Sequence, residues 1–233
     1  TSDTSQCLKN NLFTFSDKST IKSGVISMNV WRFGDGGFTS STPNPSYSYK
    51  TDGTFTVRLI SISDNICRDT ASKQVVVIPS PVMAFIINDS TQCIDGNNFQ
   101  FTNLTTIKSG TLSYLWRFGD GITAITTNAT HNYASDGTCD VMLVAINPQG
   151  CNDSLSKKVY IYSNPIAGFN INNSAQCLKS NNFIFTNTSS VKSGTLTYLW
   201  QFGDGNTLTT KDPNHIYLAD GNFIVKMITT SGP

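Results

Sequence analysis

One pattern, met three times, constrains this chain more than anything else in it. Val30-Trp31-Arg32-Phe33-Gly34-Asp35-Gly36 returns as Leu115-Trp116-Arg117-Phe118-Gly119-Asp120-Gly121, and again as Leu199-Trp200-Gln201-Phe202-Gly203-Asp204-Gly205. The tryptophans stand 85 and 84 residues apart. Upstream, Ile21-Lys22-Ser23-Gly24, Ile107-Lys108-Ser109-Gly110 and Val191-Lys192-Ser193-Gly194 align. Downstream, Asp52-Gly53, Asp136-Gly137 and Asp220-Gly221 each follow a tyrosine (Tyr49, Tyr133, Tyr217) by three residues. A period of this length is one small domain per repeat, too long for a single turn of a solenoid.

The residue types say what each domain is made of. All 15 acidic residues are Asp, which favours turns and caps, and Glu, a good helix former, is absent. Leu12-Phe13-Thr14-Phe15, Phe99-Gln100-Phe101 and Phe183-Ile184-Phe185 alternate apolar and polar, or nearly so. Phe55-Thr56-Val57-Arg58-Leu59 does the same, as do Val141 with Leu143 and Val225 with Met227. Alternation with period two puts one face in a core and the other in water. Val75-Val76-Val77-Ile78 and Val159-Tyr160-Ile161 read as closing strands. Short strands with Gly- and Asp-rich turns predict an all-β chain of sandwiches, one per repeat. Trp31, Trp116 and Trp200 are expected as core anchors between two sheets.

Ile78-Pro79-Ser80-Pro81 and Tyr162-Ser163-Asn164-Pro165 separate the repeats, giving domains over 1–79, 80–163 and 164–233. Proline lacks an N–H and fixes φ, so the linkers are expected to be semi-rigid and to hold the domains end to end as a rod. Repeats two and three open with Pro81-Val82-Met83-Ala84-Phe85 and Pro165-Ile166-Ala167-Gly168-Phe169, and repeat one has no counterpart. Repeat three stops before a closing strand. The stretch from Thr1 to Pro233 is therefore expected to be excised from a longer array, with a first strand missing from repeat one and a last strand from repeat three.

Six cysteines fall at repeat positions. Cys7, Cys93 and Cys177 share one, and Cys67 and Cys151 another. Pairs Cys7–Cys67 and Cys93–Cys151 would enclose loops of similar length, each worth roughly 4 kcal/mol in the chain-entropy account. Counting onward, the partner of Cys177 would fall past the end of the sequence, which leaves Cys177 unpaired. Cys139 replaces Phe55 and Phe223 at its position and is expected as an unpaired thiol filling a core site; the rival is a pair with Cys177. Such usage implies an oxidising compartment. Zinc is not expected: no Cys-x-x-Cys occurs, and the two histidines lie in different repeats.

The Trp-x-Phe-Gly-Asp-Gly segment is followed by His131-Asn132-Tyr133 or His215-Ile216-Tyr217 (Tyr47-Ser48-Tyr49 in repeat one) and then by Asp-Gly. This series resembles the PKD domain, an immunoglobulin-like module, over essentially the whole chain. The residue after Trp is commonly Asp in that family but is Arg32, Arg117 and Gln201 here, which weakens any acidic cluster built on it. Gly-Asp-Gly reads as a tight turn whose Asp bonds backbone N–H groups. The functional rival for Asp35, Asp120 and Asp204 is calcium, which wants six to eight oxygens where each turn offers one carboxylate.

The resemblance implies an extracellular or cell-surface protein, and the likeness to giant adhesins of gliding bacteria, exported by the type nine route, implies a structural or adhesive rod or filament. Asp69-Thr70-Ala71 and Asp153-Ser154-Leu155 look like O-glycosylation sites of such proteins, with Asp89-Ser90-Thr91 a poorer match. Expected partners are neighbouring repeats of the same polypeptide, and beyond them surface glycans or other copies in a filament. No cofactor is expected, and no catalytic constellation or phosphate loop stands out. Net charge +1 gives no pull on nucleic acid, and no apolar run could insert in a membrane. Two alternatives are a spacer in a secreted hydrolase and a carbohydrate-binding module. The second would need exposed aromatics, whereas Tyr114 and Tyr198 share the facing of the core Trp.

Overall fold

A computed structural model describes residues 3–37 and 39–232. The ends at Thr1 and Pro233, where the expected excision falls, lie outside the described residues. Among the described residues every regular element is a β-strand. The chain folds as tandem immunoglobulin-like β-sandwiches, which repeat two shows most fully.

In repeat two, Phe85–Ile87, Phe99–Asn103 and Ala129–His131 form one antiparallel sheet with Phe99–Asn103 in the centre. The facing sheet runs Thr123–Ala124, Ser113–Arg117, Gly137–Ile146, Asn152–Tyr162 and Thr91–Cys93. The edge strand Thr91–Cys93 lies parallel to Asn152–Tyr162, with Cys93 opposite Tyr162. Alternate residues of both sheets meet in the core. Phe99, Phe101, Trp116, Val141, Leu143 and Val159 are all essentially inaccessible to water. Residues between them, such as Gln100 and Arg117, face out. The period-two pattern thus places the strands as expected.

Repeat one has the same larger sheet, in the order Ser5–Cys7, Arg68–Ile78, Gly53–Ser63, Ile26–Arg32 and Thr39–Ser40. Its smaller sheet pairs Phe13–Thr14 with Ser46–Tyr47, and among the described residues nothing stands where Phe85–Ile87 lies in repeat two. In repeat three, Phe169–Ile171, Phe183–Asn187 and Asn214–His215 face Thr207–Leu208, Thr195–Gln201 and Lys226–Gly232.

All three tryptophans are buried core anchors. Trp116 Nε1 donates to Thr126 O at 3.1 Å and Trp200 Nε1 to Thr210 O at 3.0 Å, while Trp31 Nε1 is buried without a partner. Phe85 meets Trp116 edge-on at 5.1 Å, and Phe169 meets Trp200 at 5.0 Å. In repeat one a groove of about 620 Å³ lies beside Phe15, Trp31, Val57 and Leu59.

The cysteine pairing overturns the expectation. Cys7 is bonded to Cys151, across repeats one and two, with Cα atoms 5.5 Å apart. Neither Cys7–Cys67 nor Cys93–Cys151 forms; Cys67, Cys93, Cys139 and Cys177 are free thiols. The reason lies in the parallel edge strand. Cys7 stands opposite Ile78, at the far end of the strand Arg68–Ile78. Cys67 precedes the near end of that strand. Eleven residues of extended chain separate the two levels, roughly 36 Å at about 3.3 Å each, whereas a disulfide tolerates Cα atoms less than about 7 Å apart. Cys93 and Cys151 are separated in the same way, because Cys93 stands opposite Tyr162.

Cys139 is half-buried against the core of repeat two, where Phe55 and Phe223 stack on Tyr49 and Tyr217 in the other repeats. Burial pushes its thiol above the ordinary value.

Candidate functional site at the repeat junctions

The Gly-Asp-Gly turns are the first place to look for chemistry. In each, one carboxylate oxygen accepts a backbone N–H two residues on: Gly37 to Asp35 at 3.3 Å, Ile122 to Asp120 at 3.0 Å, Asn206 to Asp204 at 3.0 Å. The other oxygen meets the aromatic of the next motif: Tyr47 Oη at 2.6 Å, His131 Nε2 at 2.6 Å, His215 Nε2 at 2.8 Å. That ring stacks on the phenylalanine of the same turn, at centroid distances of 4.0, 4.2 and 4.2 Å. Tyr and His are interchangeable here because each offers a flat ring with a polar tip at its edge. Burial opposes the charge on Asp204, but hydrogen bonds from Asn206 and His215 outweigh it and hold the carboxyl at about 2. Asp120 is lowered similarly, with His131 the leading favourable partner.

Both oxygens of Asp35, Asp120 and Asp204 are therefore taken up within the fold. Among the described residues, no group of three or more His, Cys or Asp gathers as a metal site. Tyr114 and Tyr198 pack half-buried against their cores and offer no platform for a sugar. Thr70, Ser90 and Ser154 are exposed. Asp69 and Asp153 each accept the backbone N–H of the residue that follows, at 2.7 and 2.8 Å.

The remaining repeated motifs converge on the junctions between repeats. Lys108 of repeat two reaches Asp52 of repeat one at 3.0 Å, and Lys192 of repeat three reaches Asp136 of repeat two at 2.6 Å. Both pairs span 56 residues. The Lys-Ser-Gly and Asp-Gly motifs recur in the sequence with no local role of their own. The available signal was an exposed lysine recurring in register, since packing alone gives no reason to keep one.

Further contacts tighten each junction. Lys9 Nζ pairs with Asp153 at 2.6 Å beside the Cys7–Cys151 bridge. Lys9 N donates to Ser80 Oγ in the linker, and Asn147 Nδ2 donates to Pro79 O at 3.3 Å. At the equivalent point of the second junction, Ser231 Oγ donates to Ser163 O at 2.9 Å, and Ser163 Oγ donates to Asp136 at 2.8 Å. Hydrogen bonds from Lys192 and Ser163 hold the Asp136 carboxyl down at about 2. Lys9 likewise holds Asp153 below the usual range.

A buried asparagine fixes the loop behind each forward-facing cysteine. Asn11, Asn97 and Asn181 donate to Leu8, Ile94 and Leu178 O, the residue after the cysteine, and accept from Tyr49, Tyr133 and Tyr217 N. The lysines are mostly exposed, so solvent and salt screen each ion pair and it contributes little to stability. Such pairs set orientation; the disulfide holds it.

Two-layer aromatic cores, repeated in series with side-chain ties between them, define a tandem immunoglobulin-like β-sandwich protein. The PKD domain family model matches residues 2–78, 79–163 and 162–233, and the chain belongs to that family. The PKD1 domain of Vibrio anguillarum Epp is 23% identical, covering 35% of this chain and 93% of that one, with a TM-score of 0.31. The PKD1 domain of the Vibrio cholerae metalloprotease PrtV is 25% identical over 35% of this chain and 96% of that one, with a TM-score of 0.32. Fibronectin(III)-like modules of Clostridium thermocellum CbhA are 13% identical over 68% of this chain and 89% of that one, at 0.33. No curated protein matches the sequence. Among the described residues no helix is long and apolar enough to cross a membrane.

Proposed function

We propose that this chain is a structural and adhesive rod segment of a large secreted protein at a bacterial cell surface, with no catalytic role of its own. The observation that carries this reading is the repeated junction. The same lysine–aspartate tie, at the same spacing, joins repeat one to two and two to three. Investing repeated residues in relative domain placement is what a spacer under tension or bending requires, whereas a set of independent binding modules gains nothing from it. The polar groups of the Gly-Asp-Gly turns are spent on one another, and this supports a non-catalytic reading. Gliding adhesins exported by the type nine route are the specific form proposed.

Electron microscopy of the intact protein, on and off cells, tests the proposal. A long surface-tethered fibre is the expected result; a compact soluble enzyme would defeat it. Exposed Thr70 and Ser154, each next to an Asp, suit O-glycosylation, and Ser90 suits it less well. Glycopeptide mass spectrometry of native material should find Thr70 and Ser154 occupied.

A further inference from the structure

The Cys7–Cys151 bridge closes a covalent loop over 144 residues of sequence. Inside that loop lie the strands Phe13–Thr14 to Arg68–Ile78 of repeat one, the first linker, and repeat two as far as the turn before Asn152–Tyr162. The place of the bridge in the fold gives the loop a mechanical meaning. Cys7 ends the edge strand Ser5–Cys7 at the level of Ile78, the last strand residue before the first linker. Cys151 is buried, 1% exposed, and directly precedes Asn152–Tyr162. That strand runs the length of repeat two, pairing from Asn152 opposite Ile146 to Ile161 opposite Gly137. Its far end, Tyr162, leads straight into the second linker at Ser163, whose Oγ donates to Asp136 at 2.8 Å. A pull along the polypeptide therefore has two routes from Cys7 to Tyr162. One follows the chain through both cores. The other crosses the bridge and follows a single strand that is already extended.

We propose that the bridge makes repeats one and two a load bypass: tension on the polypeptide is carried by Cys7, Cys151 and the strand Asn152–Tyr162, and both cores are shielded from it. Force lowers an unfolding barrier only in proportion to the distance by which it moves the loaded points apart. The Cα atoms of Cys7 and Cys151 stay 5.5 Å apart while the bridge lasts, whatever happens to the residues between them. The loaded strand rises about 3.3 Å per residue against a limit of about 3.6 Å, so its 11 residues can yield about 3 Å. The Lys9–Asp153 pair beside the bridge is too exposed to take its place. Opening the bridge removes the short route, and the load then runs through Leu8 into both cores. A dithiol does this by giving two electrons and two protons to the bridge, leaving thiols at Cys7 and Cys151 and becoming a disulfide itself. The device is a redox-set limit on length. It rests on the rod reading above in that a load runs along the chain, and it does not need adhesion.

Single-molecule force spectroscopy of this chain tests the proposal. The ends are held by peptide tags rather than thiols, and the exposed thiols of Cys67, Cys93 and Cys177 are alkylated beforehand. Repeat three lies outside the loop and is the internal reference. The oxidised chain is expected to lengthen only by the unfolding of repeat three, on the order of 200 Å. Dithiothreitol added to the same held molecule is expected to release about 500 Å more, the contour of the 144 bridged residues. Cys7→Ser is expected to reach the longer extension without reductant, with its circular dichroism unchanged. Should that variant not fold, the reductant arm on the unaltered chain decides alone. Lengthening of the oxidised chain beyond the step of repeat three, or a reduced chain that lengthens no further than the oxidised one, would overturn the proposal. Microscopy showing a compact enzyme would defeat the rod and leave the force record standing, so the two failures are told apart.

Discussion

Gly119 and Gly121 flank the same aspartate and both have positive φ, at +90° and +95°. They are not equivalent. A Cβ on Gly119 would lie 2.9 Å from Asp140 O and 3.0 Å from Asp140 N, which are backbone atoms, while one on Gly121 would meet nothing within 4 Å. Gly119→Ala is expected to destabilise repeat two by about 1–3 kcal/mol, and Gly121→Ala by about 1 kcal/mol, from conformation alone. Chemical denaturation of the two variants checks the order. The tyrosine that follows each turn is equally specific: Tyr133 Oη donates to Phe118 O at 2.7 Å in the core. Tyr133→Phe leaves that buried carbonyl short of a donor and is expected to cost about 1–3 kcal/mol, seen in the same measurement. Asp204 gives a pH dependence. Its folded value, about 2, lies below the unfolded value of about 3.9. The turn's contribution is thus present above about pH 4 and lost as pH falls toward 2. A carboxyl carbon NMR titration should place the Asp204 midpoint near 2.

At the scale of elements, the junction loops and hairpin ends carry the new information. Lys192 is the leading cause of the low Asp136 value. Lys192→Met should therefore raise the Asp136 midpoint from about 2 toward the ordinary carboxylate range, read by the same NMR titration, with little change in the fold of either repeat. Because the tie is exposed, salt should weaken it over the same range. The strands themselves were legible from alternation, and so was the burial of Trp116 and Trp200, because one buried face imposes a period of two. The Gly-Asp-Gly turn was legible too, since positive φ demands glycine. The role of Lys108 and Lys192 was not. A surface lysine has no local signature, and its partner, 56 residues away, is set by how two domains meet.

For the whole molecule, the Cys7–Cys151 bridge joins residues 144 apart in sequence and two separate cores. Its removal should free one repeat to swing on the other without unfolding either. Cys151→Ser is expected to leave the circular dichroism spectrum unchanged while broadening the distance distribution in small-angle X-ray scattering. A cooperative loss of strand signal would show instead that the bridge holds the fold itself. By itself the sequence determined the all-β class, the threefold repeat, the core tryptophans and the structural use of the turn aspartates. Each follows from local rules: alternation, the steric demands of glycine, and apolar side chains leaving water. The tertiary structure alone decided which cysteines meet. Repeat position shows that Cys7 and Cys67 belong to one domain, but not that a parallel edge strand carries them to opposite ends of it. A disulfide reaches only a few ångströms, so that one choice of strand direction turns two expected ties within domains into a single tie between them.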